Sequence, residues 1–154
     1  NFNANYKNLD FNLFLNGLQG RDVYNTNIYD LQGMPRLFNA GTAVLNRWEQ
    51  EGDITNVPRA GGAPQNLALS DRFVEDGSYV RLKNITVGYT LPDTVAKDVF
   101  SSLRFYVSAQ NLFTITNYSG LDPEVANGNS FNFGIDIGGY PQPKTFLLGV
   151  QAKF

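Results

Sequence analysis

Apolar and polar residues alternate with a period of two over most regular segments of this chain, as strands with one greasy and one wet face do. Over residues 9–17, Leu9, Phe11, Leu13 and Leu15 alternate with Asp10, Asn12, Phe14 and Asn16. Over 103–115, one face carries Leu103, Phe105, Val107, Ala109, Phe113 and Ile115, and the other Arg104, Tyr106, Ser108, Gln110 and Thr114, which predicts one long strand. The last segment sets Phe146, Leu148, Val150, Ala152 and Phe154 against Thr145, Gln151 and Lys153. Residues 2–6 read as the end of a fifth strand. The stretch 79–91 carries a fault: Val80 and Leu82 share one parity, whereas Ile85, Val87, Tyr89 and Leu91 share the other. One extra residue near Lys83-Asn84 reconciles them as a β-bulge. The alternative places Val80 and Leu82 beyond the apolar band, against other protein.

The connections alternate in length. Lys7-Asn8 predicts a tight turn, and residues 92–102 a modest link with one helical turn at 95–99. By contrast, 19–70 and 117–143 are long. A helix is expected over 42–51, with Val44, Leu45 and Trp48 on one side and Gly52 to stop it. Pro58, Gly61, Gly62 and Pro64 mark irregular chain beyond it. Short links on one side of a sheet and long ones on the other form an organised asymmetry.

Composition narrows the chemistry. Charged residues are only 17% and the net charge is -2, too even for a nucleic-acid binder or a polybasic anchor. The 18 Asn carry much of the polarity as neutral amides. Absence of Cys removes disulfides and thiolate sites, and absence of His removes imidazole metal sites and His-based triads. No catalytic residue, cofactor or metal is expected. The first residues already alternate, with neither an initiator Met nor a signal sequence, and read as a piece of a longer protein.

Alternation alone does not separate a soluble β-sandwich from an outer-membrane barrel, which turns the greasy face to lipid. Three details favour the barrel. The strands run roughly 10 to 13 residues, longer than the usual five or six and suited to a tilted crossing. The loop asymmetry fits short periplasmic turns and long extracellular loops. The chain also ends on a strand with an aromatic residue, Phe154. Open edges in lipid leave backbone groups unpaired, and four to five strands are too few to close. The segment is therefore expected to be the wall of something larger.

Residues 70–92, running Ser70-Asp71-Arg72-Phe73-Val74-Glu75-Asp76-Gly77-Ser78-Tyr79-Val80-Arg81-Leu82-Lys83-Asn84-Ile85-Thr86-Val87-Gly88-Tyr89-Thr90-Leu91-Pro92, strongly resemble the SusC/RagA family of TonB-dependent outer-membrane transporters. The block from Leu103 to Thr114 is similar to that family's penultimate strand, and Gly138-Gly139-Tyr140-Pro141-Gln142-Pro143-Lys144-Thr145-Phe146 to the entry of its final strand. Gly20-Arg21-Asp22-Val23-Tyr24-Asn25 fits more loosely. The resemblance covers essentially the whole chain. It implies a multi-pass 22-stranded barrel in the outer membrane of a Gram-negative bacterium. It also implies an N-terminal plug, a SusD-like lipoprotein lid, and TonB engaged through an N-terminal motif absent from these residues. Residues 1–154 would then be the C-terminal part of the barrel of a nutrient importer. Its expected contacts are oligosaccharide or peptide substrate, lipid and lipopolysaccharide, and the outer-membrane assembly machinery, with no nucleic acid. Two rivals stand beside this: a SusC-like barrel serving as a structural subunit of an outer-membrane complex, and a secreted β-sandwich carbohydrate-binding module.

Candidate residues follow. Arg104, Tyr106, Ser108, Gln110, Gln151 and Lys153 are expected to face the lumen, toward substrate or plug. Tyr24, Tyr29 and Trp48, with Phe38, are candidate loop contacts for sugar rings, or else packing and belt aromatics. Phe146, Leu148, Val150, Ala152 and Phe154 form an expected assembly signal read by strand addition. Asp71, Glu75 and Asp76 read as a solvated strand top pairing with Arg72 and Arg81 in preference to a glycosidase pair. Asp122-Pro123-Glu124 with Asn127 and Asn129 reads as an Asx-rich turn before a calcium loop. The sequons Asn84-Ile85-Thr86 and Asn117-Tyr118-Ser119 read as chance matches in an Asn-rich chain.

Overall fold

The computed structural model describes residues 1–35, 37, 39–61, 67–92, 99–125 and 133–154. They form two units, one of residues 1–19, 79–116 and 142–154, the other of 20–78 and 117–141.

The first unit is one antiparallel sheet. Its strands are β1 (Phe2–Tyr6) and β2 (Leu9–Leu18), then β5 (Tyr79–Thr90), β6 (Ser102–Gln110), β7 (Thr114–Thr116) and β9 (Thr145–Lys153). The order is β1-β2-β5-β6-β9, with β7 also on β5. Lys7 turns the first hairpin at φ 53, so that Tyr6 pairs with Leu9. Register keeps the alternation coherent across the sheet. Ala4, Phe11, Val87, Val107 and Leu148 form one row, while Asn3, Asn12, Thr86 and Ser108 lie on the opposite face. Phe14 and Leu147 interrupt the polar face, opposite Asn84 and Ser108 respectively.

The expected bulge is present at Lys83. Phe14 pairs with Asn84 but Leu15 with Leu82, so the extra residue returns Val80 and Leu82 to the apolar face. The single strand expected over 103–115 is broken. Asn111 takes φ 50, and β6 gives way to β7 after a short gap. Across it, the Asn111 amide donates to the Lys83 carbonyl and the Leu82 amide to the Phe113 carbonyl. Both irregularities thus sit at one level of β5. Of the helical turn expected at 95–99, residues 95–98 lie outside the described residues.

The second unit is built around three short strands. They are β3 (Asp22–Asn25), β4 (Val74–Asp76) and β8 (Ile135–Asp136), in the order β4-β3-β8, with the β3–β8 pair parallel. After β3 comes α1 (Asn27–Gly33), which the periodicity did not announce. Over 42–51 a longer helix was expected; the structure has one 3-10 helix, Thr42–Asn46, and Arg47 is already extended. The apolar spacing misled because Leu45 is 80% exposed and marks no buried face. Val23, Tyr118 and Val125 form the buried apolar cluster of this unit, and Phe73 is equally enclosed.

Candidate functional site

On the polar face of the first unit, neutral amides and hydroxyls run from strand to strand. Asn12 Nδ2 donates to Asn3 Oδ1, and Asn84 Nδ2 to Asn12 Oδ1 at 3.2 Å. Ser108 Oγ lies 3.1 Å from Asn84 Oδ1 and 2.9 Å from Thr86 Oγ1. The abundant asparagines thereby supply a ladder that carries no net charge.

Beside the ladder lies an ion pair. Arg104 on β6 reaches over β5 to Asp10 on β2, with Nε 2.7 Å from Oδ1 and Nη2 2.5 Å from Oδ2. Such a two-pronged fit is directional as well as attractive. The guanidinium also lies 5.0 Å from the centre of the Tyr106 ring. Arg104 pairs with Gln151 across β6–β9, Ser102 with Lys153, and Gln110 with Thr145. The register therefore brings Arg104, Tyr106, Ser108, Gln110, Gln151 and Lys153 to one face of one sheet.

In the second unit a second polar cluster joins its two chain segments. Glu75 accepts from Asn25 Nδ2 at 3.0 Å, from Ser119 Oγ at 2.7 Å and from the Ser119 amide at 2.8 Å. Asn25 is almost fully buried, and its Oδ1 accepts from the Asn27 amide and Nδ2. Tyr118 donates its hydroxyl proton to Asp136 Oδ2 at 2.6 Å, while Asp136 Oδ1 receives the Gly138 amide. Burial, then this hydrogen bond, pushes the Tyr118 hydroxyl well above its ordinary range.

Three acidic residues of the loops are taken up by turns. Asp76 accepts from Ser78, whose hydroxyl and amide hold its carboxyl below the usual range. Asp53 accepts from the Glu49 and Gln50 amides, both at 3.0 Å, with the same effect. Asp122 Oδ1 accepts from the Glu124 amide, an Asx turn. Asn127 and Asn129 lie outside the described residues. Among the described residues no group of three or more acidic side chains could hold a metal.

The aromatic candidates separate. Tyr24 and Tyr29 flank the buried Phe73, at 5.8 and 6.3 Å between ring centres. Trp48 lies past the short helix, its amide donating to the Val57 carbonyl at 3.0 Å. Phe38 lies outside the described residues. At the chain's end, the Phe154 ring meets Phe100 at 5.2 Å, and the Ser101 amide donates to the Lys153 carbonyl at 2.7 Å. Asp10 and Asn25 were not singled out from the sequence. Asp10 sits opposite a β5 glycine in the register, and only strand pairing shows that Arg104 can reach it.

A long antiparallel sheet with one apolar and one polar face fits a wall segment of a large outer-membrane β-barrel. No family model matches the chain. Known proteins do. TonB-dependent receptor P3 of Formosa agariphila is 38% identical over 161 residues, covering 100% of this chain and 16% of the receptor. TonB-dependent receptor SusC of Bacteroides thetaiotaomicron is 32% identical over 97% of this chain and 14% of its own length. The structure of the RagAB peptide importer in its closed-closed state superposes with a TM-score of 0.82 at 29% identity, over 99% of this chain and 16% of that one. The chain thus spans about one-sixth of the length of the relatives it matches. Its fold is that of the C-terminal strands of a TonB-dependent receptor barrel. Within that class it corresponds to a C-terminal segment of the SusC/RagA family. The β-sandwich reading is thereby set aside.

Proposed function

We propose that residues 1–154 form the last wall and two outer loops of a SusC/RagA-type importer in a Gram-negative outer membrane. The parent barrel takes up oligosaccharide or peptide, closed from outside by a SusD-like lipoprotein and energised by TonB through parts of the protein beyond this segment. The observation that carries this reading is the full-length likeness of the chain to RagA-type structure, together with the separation of apolar and polar rows on one sheet. The apolar rows contact lipid and lipopolysaccharide. Arg104, Tyr106, Ser108, Gln110, Gln151 and Lys153 face the lumen, where a plug or a substrate passes. The second unit lies outside the cell, with Trp48 as its candidate for ring stacking and with Tyr24 and Tyr29 supporting Phe73. Phe146, Leu148, Val150, Ala152 and Phe154 present the strand read by the assembly machinery.

Deletion of the full-length parent tests the reading. Cells lacking it should lose TonB-dependent uptake of at least one oligosaccharide or peptide from a fluorescent panel, and regain it on complementation. Unchanged uptake across the panel, with an outer-membrane complex that falls apart, would instead identify a structural subunit.

A further inference from the structure

The polar face holds two notches, and the same group of side chains fills both. Across β2, β5, β6 and β9 one row reads Asp10, Gly88, Tyr106, Gly149. A Cβ on Gly88 would collide with the ends of the Arg104 and Asp10 side chains, and a Cβ on Gly149 with the hydroxyl end of the Tyr106 ring. Arg104 is thus laid flat over Gly88 to reach Asp10, and Tyr106 is laid flat over Gly149, with the guanidinium 5.0 Å from the Tyr106 ring centre.

We propose that Asp10, Arg104 and Tyr106 form a clasp seated in the notches of Gly88 and Gly149, and that this clasp sets the register of the last strand. The need for such a device follows from the strand's own pattern. Side chains on a strand repeat every two residues, so a slip of two leaves every apolar residue on the apolar face. The row Phe146, Leu148, Val150 and Ala152 therefore cannot distinguish the native pairing from its two-residue neighbours. Gly149 can, being the only glycine in β9. A slip in either direction brings Leu147 or Gln151 opposite Tyr106, where each carries a Cβ into the space the ring fills. Gly88 is likewise the only glycine in β5, and a two-residue slip there sets Thr86 or Thr90 against Asp10. Covering a strand glycine with a neighbouring aromatic ring is a recognised way of fixing sheet register. Arg104 and Tyr106 act here as positioning residues of the wall, whatever substrate the barrel carries.

The test uses the full-length receptor in native outer membranes, scoring only folded protein by its resistance to SDS before heating. Cysteines replace Val107 and Leu148, the native partners on the apolar face, or Val107 and Val150, the partners after a two-residue slip. With the clasp intact, only the native pair should form a disulfide. With Tyr106→Ala added, the slipped pair should appear; crosslinking confined to the native pair would overturn the register claim. Gly149→Ala alone should displace the Tyr106 ring and lower the folded fraction. Adding Tyr106→Ala to it should restore the folded fraction to that of Tyr106→Ala alone. An equal loss with and without the ring would mean that Gly149 serves its own backbone, and would overturn the clasp.

Discussion

Glu75→Ala should loosen the loop unit well beyond the site of the substitution. Glu75 takes three hydrogen bonds, from Asn25 Nδ2 and from the amide and hydroxyl of Ser119. Ser119 is exposed, so water replaces most of what it loses, leaving a net cost of about 0.5 kcal/mol per bond. Asn25 is only 2% exposed, and a buried donor that loses its charged acceptor costs about 2 kcal/mol. The sum is about 3 kcal/mol, roughly a hundredfold in a local opening equilibrium. The informative positions are backbone bonds that Glu75 does not itself make. The Tyr24 amide donates to the Gly134 carbonyl at 2.8 Å and the Thr26 amide to that of Asp136 at 2.9 Å, joining the same two segments without touching Glu75. Hydrogen exchange on the full-length receptor should show both amides accelerating about a hundredfold if the segments open together. Faster exchange confined to Ser119, with Tyr24 and Thr26 unchanged, would refute the idea that Glu75 holds the segments as one body.

Three further outcomes are expected. In single-cysteine variants of the parent, a water-soluble reagent should modify positions 104, 108, 110 and 151 and spare 105, 107, 113, 146, 148 and 150; the reverse pattern would invert the facing. Deleting Phe154, a residue 91% exposed whose ring meets Phe100, should shift the unfolding midpoint little while sharply reducing outer-membrane abundance; normal abundance would remove its assembly role. Asp53 has a folded pKa below its ordinary 3.8, so its hold on the Glu49 and Gln50 amides is complete above that value and is lost as pH falls through the folded pKa. Protection of those amides, corrected for intrinsic rates, should therefore decline below about pH 4, and Asp53→Asn should abolish that pH dependence.

The two units differ in how far the amino-acid pattern reveals them, for physical reasons. In the sheet, one face is mostly apolar and the other mostly polar, with Phe14 and Leu147 as exceptions, so parity along a strand reports a residue's side. The parity fault at Val80 and Leu82 accordingly located the bulge at Lys83. The break at Asn111 left no such trace, because Ala109, Phe113 and Ile115 keep the same parity on either side of it. In the loop unit, strands of four, three and two residues are too short to show a period. Their partners are also remote in the chain: Tyr24 pairs with Ile135 and with Val74. The polar residues were visible as a surplus of asparagine, whereas the ladder across four strands and the Asp10–Arg104 pair across three exist only once register sets them side by side.

The loop unit is assembled from two stretches of chain with the strands of residues 79–116 synthesised between them. Each stretch alone lacks half of the core: Val23 and Phe73 belong to the first, Tyr118 and Val125 to the second. Recombination between related chains that exchanges only one of the two stretches would therefore join halves that do not complement each other. The two stretches would have to be inherited as a pair, and a chimera that replaces 20–78 should fold this unit only when 117–141 comes from the same donor.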